Sequence, residues 1–189
     1  MPLKKYFASL ASFDWLLFGA AVLLVCFGLA ALYSVAISSD TPNFTNFQKQ
    51  ITFAIIGVAI LFIFSFIDYR AWRDYSYVIY ALAGLLLVAV IFFGHTVKGT
   101  TGWFSLFGIN LQPVEIAKIA LVIALSWFIS SKSGAISELK NVLIAGALSG
   151  LYFVLVILQP DFGSAMILFF IWLAMIYFAG AKKKYLIIL

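Results

Sequence analysis

Long apolar runs broken by short charged clusters make up this chain, and the spacing of the breaks carries its architecture. Asp14 to Asp40 encloses 25 uncharged residues, Lys49 to Asp68 encloses 18, and Asp74 to Lys98 encloses 23. Lys118 to Lys132 encloses only 13, whereas Lys140 to Asp161 and Asp161 to Lys182 enclose 20 each. A helix needs about 20 apolar residues to cross the hydrocarbon core, where unpaired backbone groups are not tolerated. Five of the gaps meet that length. The fourth meets it only by starting near Leu111 and carrying Glu115 and Lys118 inside the span. None of the segments shows the alternation of apolar and polar residues that a membrane barrel needs. The pattern predicts an all-α polytopic membrane protein, a single helical domain over 1–189 with six transmembrane helices near 15–38, 50–67, 75–94, 112–131, 142–159 and 163–180.

Composition supports this reading. Of 189 residues, 65% are hydrophobic, 18% aromatic and 10% charged, with a mean hydropathy of +1.13. Soluble domains carry about 25% charged residues, so a water-facing surface is hard to build here. Disorder is excluded by the apolar content, and a disulfide scaffold by the single Cys26. Orientation follows from the basic residues. With the N-terminus in the cytoplasm, Lys4, Lys5, Arg70, Arg73, Lys132, Lys140, Lys182, Lys183 and Lys184 fall inside, and only Lys49 and Lys98 outside. The net charge of +5 is thus an orientation signal, not a nucleic-acid footprint. Lys182–Lys184 also suit anionic membrane lipid.

Two places depart from a generic membrane protein. The outer connection from His95 to Leu111 is long and glycine-rich, with glycines at 99, 102 and 108 that allow tight turns. Trp103 and Phe104 in it suit a headgroup-level aromatic belt, and His95 an interfacial position. It leads into Gln112-Pro113-Val114-Glu115-Ile116-Ala117-Lys118. Pro113 fits a first helical turn, Glu115 is favoured there by the helix dipole, and Lys118 lies three residues on, within reach of an ion pair. Ionisable side chains inside a span are costly and usually face a cavity or a partner. The same start recurs at Gln159-Pro160-Asp161-Phe162-Gly163, where Pro160 is expected to open a helix and Asp161 to lie in its first turn. Asp161 either caps that helix or joins Glu115 and Lys118 in an outward polar pocket, provided that helices four and six are neighbours. No cofactor- or metal-binding pattern is evident.

In type, order and spacing, Gly99–Trp103, Gln112–Lys118 and Gln159–Gly163 resemble the motifs of the SEDS family (shape, elongation, division and sporulation), which includes RodA, FtsW and SpoVE. The family shows a Gly-x-x-x-Trp outer loop, a Gln-Pro-Ser-Glu-x-x-Lys helix start and a later Gln-Pro-Asp-x-Gly. The likeness covers essentially the whole chain. It implies a peptidoglycan glycosyltransferase in the bacterial cytoplasmic membrane that polymerises lipid II, the undecaprenyl-pyrophosphate-linked disaccharide pentapeptide, beside a class B penicillin-binding protein. Trp103, Gln112, Glu115, Lys118 and Asp161 are then the candidate substrate-binding residues. Lys118 would offset pyrophosphate charge, and Glu115 or Asp161 would orient a sugar hydroxyl or take its proton.

Three departures qualify the likeness. Gly102 stands where the family often has a basic residue, and Val114 where it has Ser. The catalytic Asp proposed for the family lies in an outer loop after a seventh helix, beyond Leu189. The chain is therefore expected to be the N-terminal portion of a longer protein, inactive alone as a polymerase. A lipid II flippase and a membrane scaffold for a penicillin-binding protein are the alternative readings. Polar residues clustered toward one end of the spans favour the enzyme over a path across the bilayer.

Overall fold

The computed structural model describes residues 13–38, 43–97, 99–106, 109–132, 138–182 and 184–185. Of the residues used for orientation, Lys4, Lys5, Lys98 and Lys183 lie outside these. The contacts divide the chain into two compact units, one up to Asp68 and one from Tyr69 onward.

The first unit is a helical hairpin of α1 (Trp15–Ser38) and α2 (Thr45–Ser65). Asp14 accepts the Leu17 N–H at 2.9 Å and so satisfies an orphan donor at the start of α1. The hairpin is tied at both ends by rings. Phe13 stacks on Phe62 with centroids 5.5 Å apart, and Tyr33 meets Phe47 at 5.6 Å. Polar side chains along these helices bond back to their own backbone. Ser38, Thr52 and Ser65 each donate to the carbonyl four residues earlier, which removes a free hydroxyl from the apolar face. The helix predicted from 50 starts at Thr45 instead, because Lys49 sits in its second turn, where a long stem lets the ammonium reach water.

The second unit holds α3 (Tyr69–Asp74), α4 (Ser76–Phe93), strands β1 (His95–Val97), β2 (Thr100–Leu106) and β3 (Ile109–Leu111), then α5 (Pro113–Ser131), α6 (Leu139–Ile157) and α7 (Phe162–Phe178). Five helices among the described residues, α1, α2, α4, α5 and α6, are long and apolar enough to cross a membrane, and α7 is a shorter apolar helix of 17 residues. Each of the six predicted segments coincides with a helix, five of them of spanning length, with ends shifted by a few residues. The short α3 is an addition that the charge spacing did not show.

Within this unit α5 packs against α3, α4, α6 and α7, and it buries Ala117, Ala120, Leu121, Ala124, Leu125 and Phe128 along one helical stripe. Alanines on that stripe let neighbouring backbones approach, which is how helices associate where lipid is as apolar as leucine. Leu87, Tyr152, Val156, Leu168 and Ile176 complete the core. Helices α4 and α6 are locked reciprocally. The Tyr80 hydroxyl donates to the Leu148 carbonyl at 2.7 Å, the Tyr152 hydroxyl donates to the Tyr80 carbonyl, and the two rings stack with centroids 4.4 Å apart.

The connection expected as a loop is a three-stranded antiparallel sheet in the order β1-β2-β3. His95 faces Trp103 and Val97 faces Thr100, with an irregularity between the two pairs. Phe104, Ser105 and Leu106 pair with Leu111, Asn110 and Ile109. Gly99 turns the chain from β1 to β2 at φ +88°, a conformation that favours glycine. β1 and β3 have three residues each, too few for apolar alternation to show, and the seven of β2, Thr-Thr-Gly-Trp-Phe-Ser-Leu, do not alternate regularly.

Candidate functional site

The sheet, the end of α4 and the starts of α5 and α7 meet at one end of the second unit. Gln112 is the residue before α5, with Pro113 in the first turn as expected. A glutamine is an unusual residue at this position, where short polar side chains normally cap the helix. Its side chain makes no cap bond. It reaches across to α7, and its Nε2 donates to Asp161 Oδ2 at 3.2 Å. Helices four and six of the sequence reading are therefore neighbours, as the pocket required.

Asp161 differs from its expected place. It is the N-cap of α7, with Oδ1 accepting the Ser164 N–H at 3.0 Å, so it lies just before the first turn. Pro160 consequently sits outside the helix and does not open it. The reason is local competition: a carboxylate one residue after the proline satisfies a first-turn donor, the Ser164 N–H, and fixes the boundary there. Capping and pocket membership are compatible, since the two carboxylate oxygens serve the two partners separately.

One turn into α5, Lys118 Nζ donates to Glu115 Oε1 at 2.7 Å. The pair is asymmetric, with 18% of the Lys118 side chain exposed against 60% for Glu115. The cation is held near the helix surface and the carboxylate is open. Trp103 lies on β2, opposite His95, and β2 packs against both α4 and α5. The tryptophan belongs to the same end of the unit, though among the described residues its side chain makes no hydrogen bond to the other four candidates.

Gln159 and Gly102 were not among the candidates, and they hold this end together. Gln159 is 2% exposed. Its Nε2 donates to the Leu87 carbonyl of α4 at 3.2 Å, and its own carbonyl accepts the Thr101 N–H of β2 at 3.2 Å. A Cβ at Gly102 would sit 3.0 Å from Gln159 Oε1. The Gln-Pro repeat singles out Gln159 in sequence, and the departure at 102 singles out the glycine. Neither signal says that the two are packed together.

A cavity of about 520 Å³ between α6 and α7, lined by Val142, Gly146, Gly150, Phe153, Phe169 and Trp172, shares no residue with the polar cluster. Trp172 Nε1 is buried near it without a hydrogen-bond partner among the described residues.

These features define a multi-pass helical membrane protein with one polar, sheet-covered end. The family model described as a cell cycle protein, comprising FtsW, RodA and SpoVE, matches residues 14–189, and the chain belongs to that family. It is 31% identical to a probable peptidoglycan glycosyltransferase FtsW from Geobacter metallireducens, over 93% of this chain and 48% of that protein. It is also 31% identical to the peptidoglycan glycosyltransferase RodA of Treponema pallidum, over 90% of this chain and 39% of that one. The crystal structure of the rod shape determining protein RodA of Thermus thermophilus superposes with a TM-score of 0.81 at 26% identity, covering 94% of this chain and 57% of the other. A chain of a peptidoglycan synthase complex, solved to show how polymerization and crosslinking are coordinated, gives 0.76 at 25% identity, covering 94% and 51%. The chain spans about half the length of the curated relatives it matches.

Proposed function

We propose that this protein takes part in polymerising lipid II into peptidoglycan glycan strands at the outer face of the bacterial cytoplasmic membrane. The observation that carries the reading is the Glu115–Lys118 pair at the start of α5, one turn from the Gln112–Asp161 bridge. Glycosyl transfer from a lipid-linked pyrophosphate breaks the bond between the sugar C1 and the phosphate oxygen, and negative charge gathers on the departing pyrophosphate. A lysine aimed from a helix start offsets that charge, and the helix dipole adds to it. Glu115, 60% exposed, would orient a sugar hydroxyl. Trp103 would offer an apolar face beside the lipid. The relatives bear glycosyltransferase names, and that supports the same activity here. The reading calls for no organic cofactor.

Orientation is part of the proposal. Arg70, Arg73, Lys132, Lys140, Lys182 and Lys184 flank the ends of α3, α4, α5, α6 and α7 away from the sheet. Helices of 19 residues run about 28 Å, so these cations lie a membrane thickness from the polar cluster. Basic residues stay on the cytoplasmic side, and the sheet then faces outward. A class B penicillin-binding protein is the partner that fits, consistent with the synthase complex among the structural relatives.

The test is polymerisation of lipid II by the protein in its membrane assembly, comparing wild type with Glu115→Ala, Lys118→Ala and Asp161→Ala. Loss of glycan product at normal expression supports the site. Unchanged product from all three variants refutes it.

A further inference from the structure

We propose that Asp161 is a positioning residue that sets which end of the Gln112 amide faces the substrate. This rests on the preceding reading that a lipid-linked saccharide binds at this end. A carboxylate only accepts hydrogen bonds, and an amide carries donors on nitrogen and acceptors on oxygen. Asp161 Oδ2 lies 3.2 Å from the Gln112 amide nitrogen, and Oδ1 is occupied by the Ser164 N–H at 3.0 Å. Chemistry therefore fixes the amide: its NH₂ faces the carboxylate and its carbonyl oxygen, Oε1, faces away. Asp161 has one oxygen committed to its helix and the other to Gln112. It acts on the substrate through Gln112.

Gln112 is free for this role because it does no capping at its own helix. Its backbone carbonyl accepts the Glu115 N–H at 3.1 Å, so the amide stands one turn from the Glu115–Lys118 pair. An oriented carbonyl oxygen beside a cation and an open carboxylate completes a saccharide-binding set. Lys118 takes phosphate oxygen, and Gln112 Oε1 accepts from a sugar hydroxyl or an acetamido N–H. Without the carboxylate, either end of the amide is presented.

Asp161→Asn separates the two jobs of this residue. The Asn oxygen still caps α7 at Ser164, whereas its NH₂ now faces Gln112. The Gln112 amide turns over and presents a donor where the substrate also offers a donor. Lipid II binding to nanodisc-embedded full-length protein is measured for wild type, Asp161→Asn, Gln112→Ala and the double variant. Asp161→Asn is expected to weaken binding by about tenfold, as does Gln112→Ala, and the double variant to bind no more weakly than Gln112→Ala alone. Additive losses overturn the proposal, because Asp161 then touches the substrate itself. Wild-type binding by Asp161→Asn overturns it too. A second readout needs no substrate: the side-chain ¹⁵NH₂ resonance of Gln112 is expected to shift in Asp161→Asn, and an unmoved resonance overturns the proposal even where binding falls. If wild type fails to bind lipid II while the resonance shifts, the saccharide reading is what fails, and the substrate role assigned to Gln112 falls with it.

Discussion

Residues 112–118 and 159–165 start alike in sequence, with Gln-Pro ahead of an acidic residue, and are used in opposite ways. Gln112 is partly buried and turns its side chain to a neighbouring helix, while Gln159 is sealed in the unit and bonds to the Leu87 carbonyl. Pro113 opens α5, whereas Pro160 stays outside α7. Glu115 lies inside its helix beside Lys118, and Asp161 stands before its helix as the cap. The difference comes from what surrounds each segment. The second start is tied to β2 through the Thr101–Gln159 bond, whereas at the first the glutamine side chain is bonded to Asp161. In one copy the glutamine is sealed into the fold, and in the other it reaches across to the acidic residue of its counterpart.

The contrast is broken most severely at Gln159. Gln159→Ala leaves a void and removes the bond that ties the α6–α7 connection to α4, and is expected to cost about 3 kcal/mol in a denaturant titration of the protein in detergent. Gln112→Ala, at a partly buried position, loses one bond to Asp161 and is expected to cost about 1 kcal/mol in the same experiment. Equal losses would show that the two segments are alike after all. Gly102→Ala comes next, at about 1.5 kcal/mol, since its Cβ would press on Gln159 Oε1 at 3.0 Å and Thr100 Cγ2 at 3.4 Å. In a Gln159→Ala background that penalty should shrink, because the void receives the methyl group. Asp161→Ala removes a cap and is expected to cost about 1 kcal/mol, with Asp161→Asn recovering most of it.

The spans were legible because charge is so scarce here that its spacing alone marks the helix ends. The candidate site was legible for a related reason: Glu115 and Lys118 stand where a span had to swallow charge. What the sequence could not show is how far each residue sits from cover. Gln112 and Gln159 have the same neighbours in the chain, and Gln159 is distinguished by its bond to β2, a strand whose sequence shows no regular apolar alternation. Asp161 shows the same limit at finer scale. Proline at 160 points to a helix start there, and only the competition between ring and carboxylate moves the boundary by two residues.

The smallest expected effect on stability is at Glu115. Its side chain is 60% exposed, so the ion pair with Lys118 works against water on one side and contributes no more than about 0.5 kcal/mol. Glu115→Gln should therefore leave the denaturant midpoint nearly unchanged. Lys118 is the enclosed partner, and losing the carboxylate beside it leaves a cation whose charge is less balanced. On the proposed function that imbalance favours an anionic pyrophosphate in the ground state, while the group that orients the sugar hydroxyl is gone. Glu115→Gln is thus expected to bind lipid II as well as wild type or better and to polymerise it poorly. A variant that loses stability and binding together would place Glu115 with Gln159, in the structural half of the comparison.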